Sequence, residues 1–178
     1  RCPISPGGAG PGGYPDVISP ASTRPLARGD VLMLDTGAIK AGYFCDFDRN
    51  FSVGPPARGT RDAHARLFEA VEAGFATARP GVTAADMFHA MDAVCTGGRG
   101  GPGAGRLGHG LGMQLTEGPS FLPGDHTVLA PGMVLTLEPC VALGEGRIMV
   151  GEENTVLREA GAQWLSDPAP REIAVLEG

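Results

Sequence analysis

The chain has 178 residues, of which 42% are hydrophobic, and its mean hydropathy is zero. Its formal net charge is −6 and it has no run of Lys or Arg, so nucleic acid and anionic membranes are poor candidates for partners. No apolar run approaches 18 residues, so the sequence predicts no transmembrane helix. These values are typical of one globular domain spanning residues 1–178, long enough to bury a substantial core.

The first part of the chain, residues 1–24, is a lead-in dense in Gly and Pro. Because these residues favour turns and interrupt regular structure, residues 1–16 are predicted to be loop. The segment from Pro25 to Gly29 is predicted to form the turn into the first strand.

Residues 31–53 contain two apolar segments of the kind that form strands. They are joined around Lys40-Ala41, with Gly42 available for a positive φ, which predicts a β-hairpin. If this hairpin closes symmetrically, Asp35 lies directly opposite Asp46 on the same face.

Opposed carboxylates in a hairpin have Cβ atoms about 4.5–5.5 Å apart and repel each other. Two solvated aspartates on an exposed face are one interpretation of Asp35 and Asp46. The other is a cation bound between them, which removes the repulsion.

Two helices are predicted next, at residues 60–79 and 83–96, from apolar residues at helical spacing. Thr60 is the predicted N-cap of the first. Thr83, with Asp86 three positions on, resembles a capping box for the second. The glycine-rich segment 97–105 is predicted to be a linker near the mouth of the site.

The segment 108–116 is predicted to be a strand that carries His109 between two glycines. Because glycine has no side chain, the backbone can approach other groups closely on either side of this imidazole.

Residues 134–157 repeat the hairpin pattern, with apolar arms folded around Glu145-Gly146. Symmetric closure sets Glu138 opposite Glu153. Glu152 is not counted as a ligand, because alternation along a strand points it to the other face.

Two carboxylate pairs and one imidazole form a five-ligand set that suits two divalent cations. Manganese is the first expectation, with iron, cobalt or zinc as alternatives. The members of this set are Asp35, Asp46, His109, Glu138 and Glu153.

Four motifs in a fixed order carry a resemblance to a known family. They are L-D-T-G-x5-Y-x2-D-x2-R from residue 34, G-H-G-L-G from 108, P-G-M-V-L-T-L-E-P from 131 and E-E-N-T-V from 152. Together they resemble the pita-bread metallopeptidase superfamily, which includes methionine aminopeptidase, Xaa-Pro aminopeptidase, prolidase and creatinase. The resemblance covers approximately residues 25–166.

The resemblance implies an α+β fold: a curved, mostly antiparallel sheet in two pseudo-symmetric halves with helices on its outer face. It implies that the five residues above hold two metal ions, that His109 belongs to the catalytic set, and that Glu138 takes a proton from the attacking water. The implied substrate is a peptide or a small polar compound, and a homodimer is allowed for. The family also has a pair of helices before the first strand, so the chain is expected to lack its N-terminal helices.

Two histidines of the resembled peptidases have no counterpart here. One falls near Ile18 or Ser19 and the other on Thr116. These imidazoles are associated with gripping the substrate carbonyl and stabilising the tetrahedral intermediate.

Three functions follow as alternatives. The first is a dinuclear metal-dependent hydrolase of the Xaa-Pro aminopeptidase or prolidase type, in which activated water attacks an amide bond. The second is a non-peptidase member of the same fold, resembling dimethylsulfoniopropionate lyase or creatinase and acting on a small polar substrate. The third is a non-catalytic binding module, which the presence of all five ligands disfavours.

The four cysteines lack the spacing of a zinc site or a disulfide framework. They are predicted to be reduced, small buried side chains, which favours a cytoplasmic location. They are Cys2, Cys45, Cys95 and Cys140.

Overall fold

The structure, a computed structural model, describes residues 7–18, 22–101 and 105–177. These ranges contain strands and two helices in an α+β arrangement. In chain order the elements are β1 (Ala9–Pro11), β2 (Asp30–Lys40), β3 (Tyr43–Val53), α1 (Arg58–Thr77), α2 (Ala84–Cys95), β4 (Gly108–Gly110), β5 (Glu117–Ser120), β6 (Val134–Leu137), β7 (Cys140–Gly144), β8 (Arg147–Val150), β9 (Glu153–Arg158), β10 (Gly161–Trp164) and β11 (Ala174–Leu176).

The strands form two main sheets and one separate hairpin. The first sheet has the order β1-β2-β3-β11 and the second the order β10-β9-β6-β4-β5, while β7 pairs with β8 alone. Every pairing between these strands is antiparallel except that of β11 with β3. The chain after Ser166 therefore contributes β11 as an edge strand of the first sheet.

The turn of the first hairpin lies one residue later than predicted. Lys40 pairs with Tyr43, so the two-residue turn is Ala41-Gly42. Both residues have positive φ, 52° and 87°, which is the requirement of a type I′ turn. The predicted opposition of Asp35 and Asp46 is therefore wrong.

In the observed register Asp35 lies opposite Asp48, and Gly37 lies opposite Asp46. A shift of one residue in the turn moves each partner by two positions, which keeps every side chain on the same face. Asp35 and Asp46 thus share a face as diagonal neighbours.

The turn of the second hairpin is at Glu145-Gly146, as predicted, but one arm contains a bulge. Ala142 pairs with Ile148 and Gly144 with Arg147, which leaves one extra residue, Leu143, on β7. This extra residue shifts the register of everything beyond it, so that Leu137 pairs with Glu153. The predicted opposition of Glu138 and Glu153 is wrong for this reason.

Both predicted helices are present. The second has the predicted capping box: the Thr83 hydroxyl accepts a hydrogen bond from the Asp86 backbone, and the Asp86 carboxylate accepts one from the Thr83 backbone. The first begins two residues before Thr60, after Ala57, so the predicted Thr60 N-cap is wrong. Thr60 is buried inside the helix, and its hydroxyl donates to the Gly12 carbonyl.

Apolar side chains from both helices and from the central strands form a continuous core. Leu135, Leu137 and Leu157 from the second sheet are fully buried in the same cluster as Met87 and Met91 of α2. Neither helix in the described ranges has the length and hydrophobicity needed to cross a lipid bilayer.

Two sequence predictions of irregular or extended structure need correction. The lead-in was predicted to be loop to residue 16, but β1 lies within it and pairs with β2 through Ala9–Pro11. The strand predicted over 108–116 is limited to Gly108–Gly110, with bends after it. Residues 102–104 of the predicted linker 97–105 lie outside the described residues.

Candidate metal centre

The two main sheets meet along β3 and β9. The Asn154 side chain binds the backbone of Asp46 in both directions, since its Oδ1 accepts from the Asp46 amide and its Nδ2 donates to the Asp46 carbonyl. An isolated antiparallel bridge joins Asp48 to Glu152 just beside this contact. Side chains on the facing surfaces of both sheets are thereby brought together.

Five carboxylates gather at this junction, and we call them the carboxylate cluster. Its members are Asp35, Asp46, Asp48, Glu138 and Glu152.

His109 lies beside the cluster on β4. Two groups of potential ligand atoms lie within 4.8 Å of one another: Asp46, His109 and Glu152 form one, and Asp35, Asp48 and Glu152 the other. Glu152 belongs to both groups.

Burial and mutual repulsion raise the pKa values of the cluster. Burial is the main cause for Asp46, whose pKa rises to about 7 with added repulsion from Asp35 and Glu138. The same causes raise the pKa of Asp48 to about 8. Burial first, and then the charge of Glu138, raise the pKa of Glu152 well above its ordinary value.

Several buried oxygens of the cluster have no hydrogen-bond partner in the described part of the chain. They are both carboxylate oxygens of Asp48, Oε2 of Glu138 and Oε1 of Glu152. A buried polar atom without a partner is costly, and the cost is larger for a charge. Divalent cations would satisfy these oxygens, so the donor set fits a metal centre.

The ring of His109 is oriented as a metal ligand requires. Its Nδ1 lies 2.7 Å from the Gly110 carbonyl, to which only a protonated Nδ1 can donate. Its Nε2 faces Asp46 Oδ2 and Glu152 Oε1, each at 3.9 Å. Burial lowers the pKa of His109, which favours the neutral ring with a free lone pair on Nε2.

Glu138 follows directly after β6 and faces a single arginine. Arg106 Nε lies 3.6 Å from Glu138 Oε2. Burial raises the pKa of Glu138, and the Arg106 charge opposes that rise. Arg106, which directly follows the predicted linker 97–105, therefore lies against the site itself.

Glu153 lies outside the carboxylate cluster, although the sequence analysis had counted it among the ligands. Its Oε2 accepts from Arg49 Nη2 at 3.0 Å and its Oε1 accepts from the Ala169 amide at 2.6 Å. The physical reason is the bulge at Leu143, which gives Glu152, and not Glu153, the position next to Asp48. The alternation argument placed the two acids on opposite faces, and the structure places Glu152, not Glu153, beside Asp48.

Two members of the cluster were missed by the sequence analysis, Asp48 and Glu152. Asp48 had a usable signal, since it follows Asp46 by two positions and so must share its face of β3. The sequence signal for Glu152 was weaker: Gly144 directly precedes the turn Glu145-Gly146, and it has the positive φ of 87° that a bulge beside a turn often requires.

Comparison with known proteins identifies the family. The sequence pattern of metallopeptidase family M24 matches residues 5–160. The chain belongs to metallopeptidase family M24. This confirms the superfamily that the four motifs indicated.

Two similar proteins illustrate the relation to other M24 members. The Xaa-Pro dipeptidase of Pyrococcus furiosus is 34% identical over 150 residues, which cover 82% of this chain and 42% of that protein. The crystal structure of dipeptidase PepE from Mycobacterium ulcerans matches with a TM-score of 0.88 and 30% identity, covering all of this chain and 48% of that one. The chain thus spans less than half the length of either dipeptidase.

The fold is also shared with a shorter protein. Methionine aminopeptidase from Rickettsia prowazekii matches with a TM-score of 0.75 at 20% identity, covering 89% of this chain and 72% of that one. At this identity the likeness concerns the fold alone. Together these structures confirm the predicted pita-bread fold.

This M24 chain lacks histidine at the two positions noted above. Ile18 is 69% exposed and Thr116 is exposed, while Ser19 lies outside the described residues. Neither Ile18 nor Thr116 offers an imidazole to a substrate. The cysteines form no disulfide among the described ones, Cys45, Cys95 and Cys140, and Cys2 lies outside the described residues.

We expect the metal-free chain to lose stability as the pH rises from 6.5 to 8.5. The raised pKa values of Asp46 and Asp48, about 7 and 8 against an ordinary 3.8, mean that the folded state binds more protons than the unfolded state in this range. Stability therefore falls with rising pH until both groups are ionised. Below pH 6.5 the lowered pKa values of His64 and His109 act with the opposite sign.

Urea denaturation in the presence of a chelator measures this effect. The expected loss is at least about 1 kcal/mol, which corresponds to less than one pKa unit at a single group. Saturation with Mn²⁺ serves as the comparison and should reduce the loss. Equal or greater stability of the chelated chain at pH 8.5 would contradict the pKa shifts.

Proposed function

We propose that the chain is the catalytic part of a metal-dependent hydrolase that cleaves the amide bond of a small peptide, in the manner of the Xaa-Pro dipeptidases. The observation that carries this proposal is the set of buried, unpartnered carboxylate oxygens beside a correctly oriented His109. The printed activities of the similar proteins, Xaa-Pro dipeptidase and dipeptidase, support the same reaction class.

Two divalent cations are proposed to occupy the cluster. Asp46, His109 and Glu152 would hold one, and Asp35 with Glu152 would contribute to the other. Glu138, whose charge acts on Asp46, would be a further ligand of the first. When bound, such cations supply Lewis-acid chemistry: they polarise a carbonyl, and they lower the pKa of water so that hydroxide is available as a nucleophile near neutral pH. Manganese is proposed first because the donors are mostly carboxylate oxygens.

The chain's own residues would move the proton. Glu138 Oε2 is buried, without a hydrogen-bond partner in the described part of the chain, and burial raises the pKa of Glu138, which makes it a stronger base than an exposed carboxylate. It would take a proton from the attacking water and return it to the leaving amine. Arg106, 3.6 Å away, would limit the rise in the pKa of Glu138 and keep it able to act as a base.

A second candidate function rests on the missing imidazoles. Thr116 and Ile18 stand where the resembled peptidases carry histidines, and both are exposed. Without groups that grip a peptide carbonyl, the same metal centre could act on a small polar compound, as in a lyase or creatinase-like enzyme. A peptide or a small polar molecule is therefore the proposed partner, and a cytoplasmic location and a homodimer stay predictions.

Metal content and peptide turnover test the two functions together. Purified chain would be analysed by elemental mass spectrometry and assayed with Ala-Pro and Ala-Ala in Mn²⁺, with chelated protein as the control. Two metals with cleavage of Ala-Pro are expected. Two metals without cleavage of either dipeptide would favour the small-substrate enzyme, and no bound metal would contradict both.

A further inference from the structure

Asp48 has no part in the function proposed so far, yet it is among the most buried members of the carboxylate cluster. It is 2% exposed, and neither of its carboxylate oxygens has a hydrogen-bond partner in the described part of the chain. A buried carboxylate that serves only the fold is normally bonded to donors. Asp48 therefore needs a partner that the described residues do not supply.

The donors nearest to Asp48 are engaged elsewhere. Arg49 donates to the backbone carbonyls of Asp48 and Glu152 and to the carboxylate of Glu153. The Asn50 amide donates to the Val150 carbonyl, and its oxygen accepts from the Tyr14 hydroxyl. The guanidinium and the amide that flank Asp48 thus leave its carboxylate without a bond.

The geometry directs the Asp48 carboxylate toward two other acids. It lies opposite Asp35 in the β2–β3 register and is bridged through the backbone to Glu152. Ligand atoms of these three residues all lie within 4.8 Å of one another. These three carboxylates form a second candidate cation position, which shares Glu152 with the position that includes His109.

We propose that Asp48 is a direct metal ligand, which makes the Asp35, Asp48 and Glu152 position an all-carboxylate site for a hard divalent cation such as Mn²⁺. The proposal rests on the proposed metal-dependent function and adds a ligand to it. The other position, with Asp46, His109 and Glu152, has a nitrogen donor and also suits Zn²⁺. The two positions are therefore unequal in charge and in metal preference.

The experiment is a calorimetric titration of Mn²⁺, and separately Zn²⁺, into the metal-free chain and into Asp48→Asn. Asn preserves the shape of the side chain and removes its charge. The wild type is expected to bind two ions. In Asp48→Asn one ion should bind as before and the other at least about tenfold more weakly, since losing even an indirect contact to a metal ligand commonly costs that much. The weakening should be greater for Mn²⁺ than for Zn²⁺.

Asp30→Asn is the matched control. Asp30 is equally buried, at 2%, and lies on the adjacent strand, but its carboxylate is bonded to Arg24 and to the Ala27 amide. Its replacement should leave both binding events unchanged. Circular dichroism of each metal-free variant checks the fold, and Asp48→Ser provides a second variant if Asp48→Asn does not fold.

The outcomes separate this proposal from the function on which it rests. Two ions bound by the wild type and by Asp48→Asn with equal affinity would overturn the role of Asp48 alone. No ion bound by the folded wild type would overturn the metal-dependent function and the Asp48 site with it. A selective loss of one ion in Asp48→Asn supports both.

Discussion

Glu152→Gln is expected to weaken cation binding at both positions of the carboxylate cluster and to remove hydrolytic activity. Glu152 is the one residue common to both groups of neighbouring ligand atoms, and it is 3% exposed. Replacing its carboxylate by an amide removes the charge that either cation would meet. We expect affinity to fall at least about a hundredfold, at the upper end of what changes around metal ligands cost.

Glu153→Gln is the matched control for this variant. The two acids are adjacent in sequence and equally buried, at 3%, but Glu153 is bonded to Arg49 and to the Ala169 amide. The control should keep two cations. Calorimetry and elemental mass spectrometry under identical conditions compare it with Glu152→Gln. Loss of metal in Glu153→Gln with retention in Glu152→Gln would show that the register along β9 differs from the one described.

Gly108→Ala is expected to destabilise the fold and to disturb the adjacent His109. A Cβ at residue 108 would lie 2.3 Å from the Thr136 carbonyl oxygen and 2.7 Å from the Phe121 ring, and the backbone there has a φ of 138°. β4 would have to move away from β6, because a backbone oxygen in a sheet cannot give way alone. Overpacking and backbone strain together suggest a loss of about 3 kcal/mol in the free energy of unfolding.

Gly124→Ala tests whether this loss is specific. Nothing lies within 4 Å of a Cβ at Gly124, and its backbone is not in the left-handed region. Its effect should stay within about 0.5 kcal/mol. Chemical denaturation measures the free energy of unfolding of both variants. Similar values would show that β4 can accept a side chain at residue 108.

Much of the site was predictable because its residues stand in short motifs. Asp35, Asp46, His109 and Glu138 were identified from the sequence, and the structure brings them together at the junction of the two sheets. Because the type I′ turn lies at Ala41-Gly42, each residue of the first hairpin pairs two positions away from its predicted partner, and its acids keep the predicted face. Because side chains alternate with a period of two along a strand, an error of two positions in the pairing leaves each side chain on its predicted face.

In the second hairpin the error in register changed which face the acids occupy. One extra residue at Leu143 changes the register by a single position, which exchanges the two faces of the strand. The structure therefore places Glu152, and not Glu153, in the carboxylate cluster. Bulges of this kind depend on how the strand packs against its neighbours, and alternation of residues along one strand does not record them.

The position of the carboxylate cluster has a consequence for how the molecule holds together. Its members lie in strands of the first sheet or next to strands of the second, and their ionised carboxylates repel one another across the junction. Cations bound between the two sheets would neutralise the carboxylates and attract both sheets, where the charges otherwise repel each other. Part of the cohesion between the two halves of the fold would then be supplied by the metal, so that assembly of the domain and loading of its site become a single linked equilibrium.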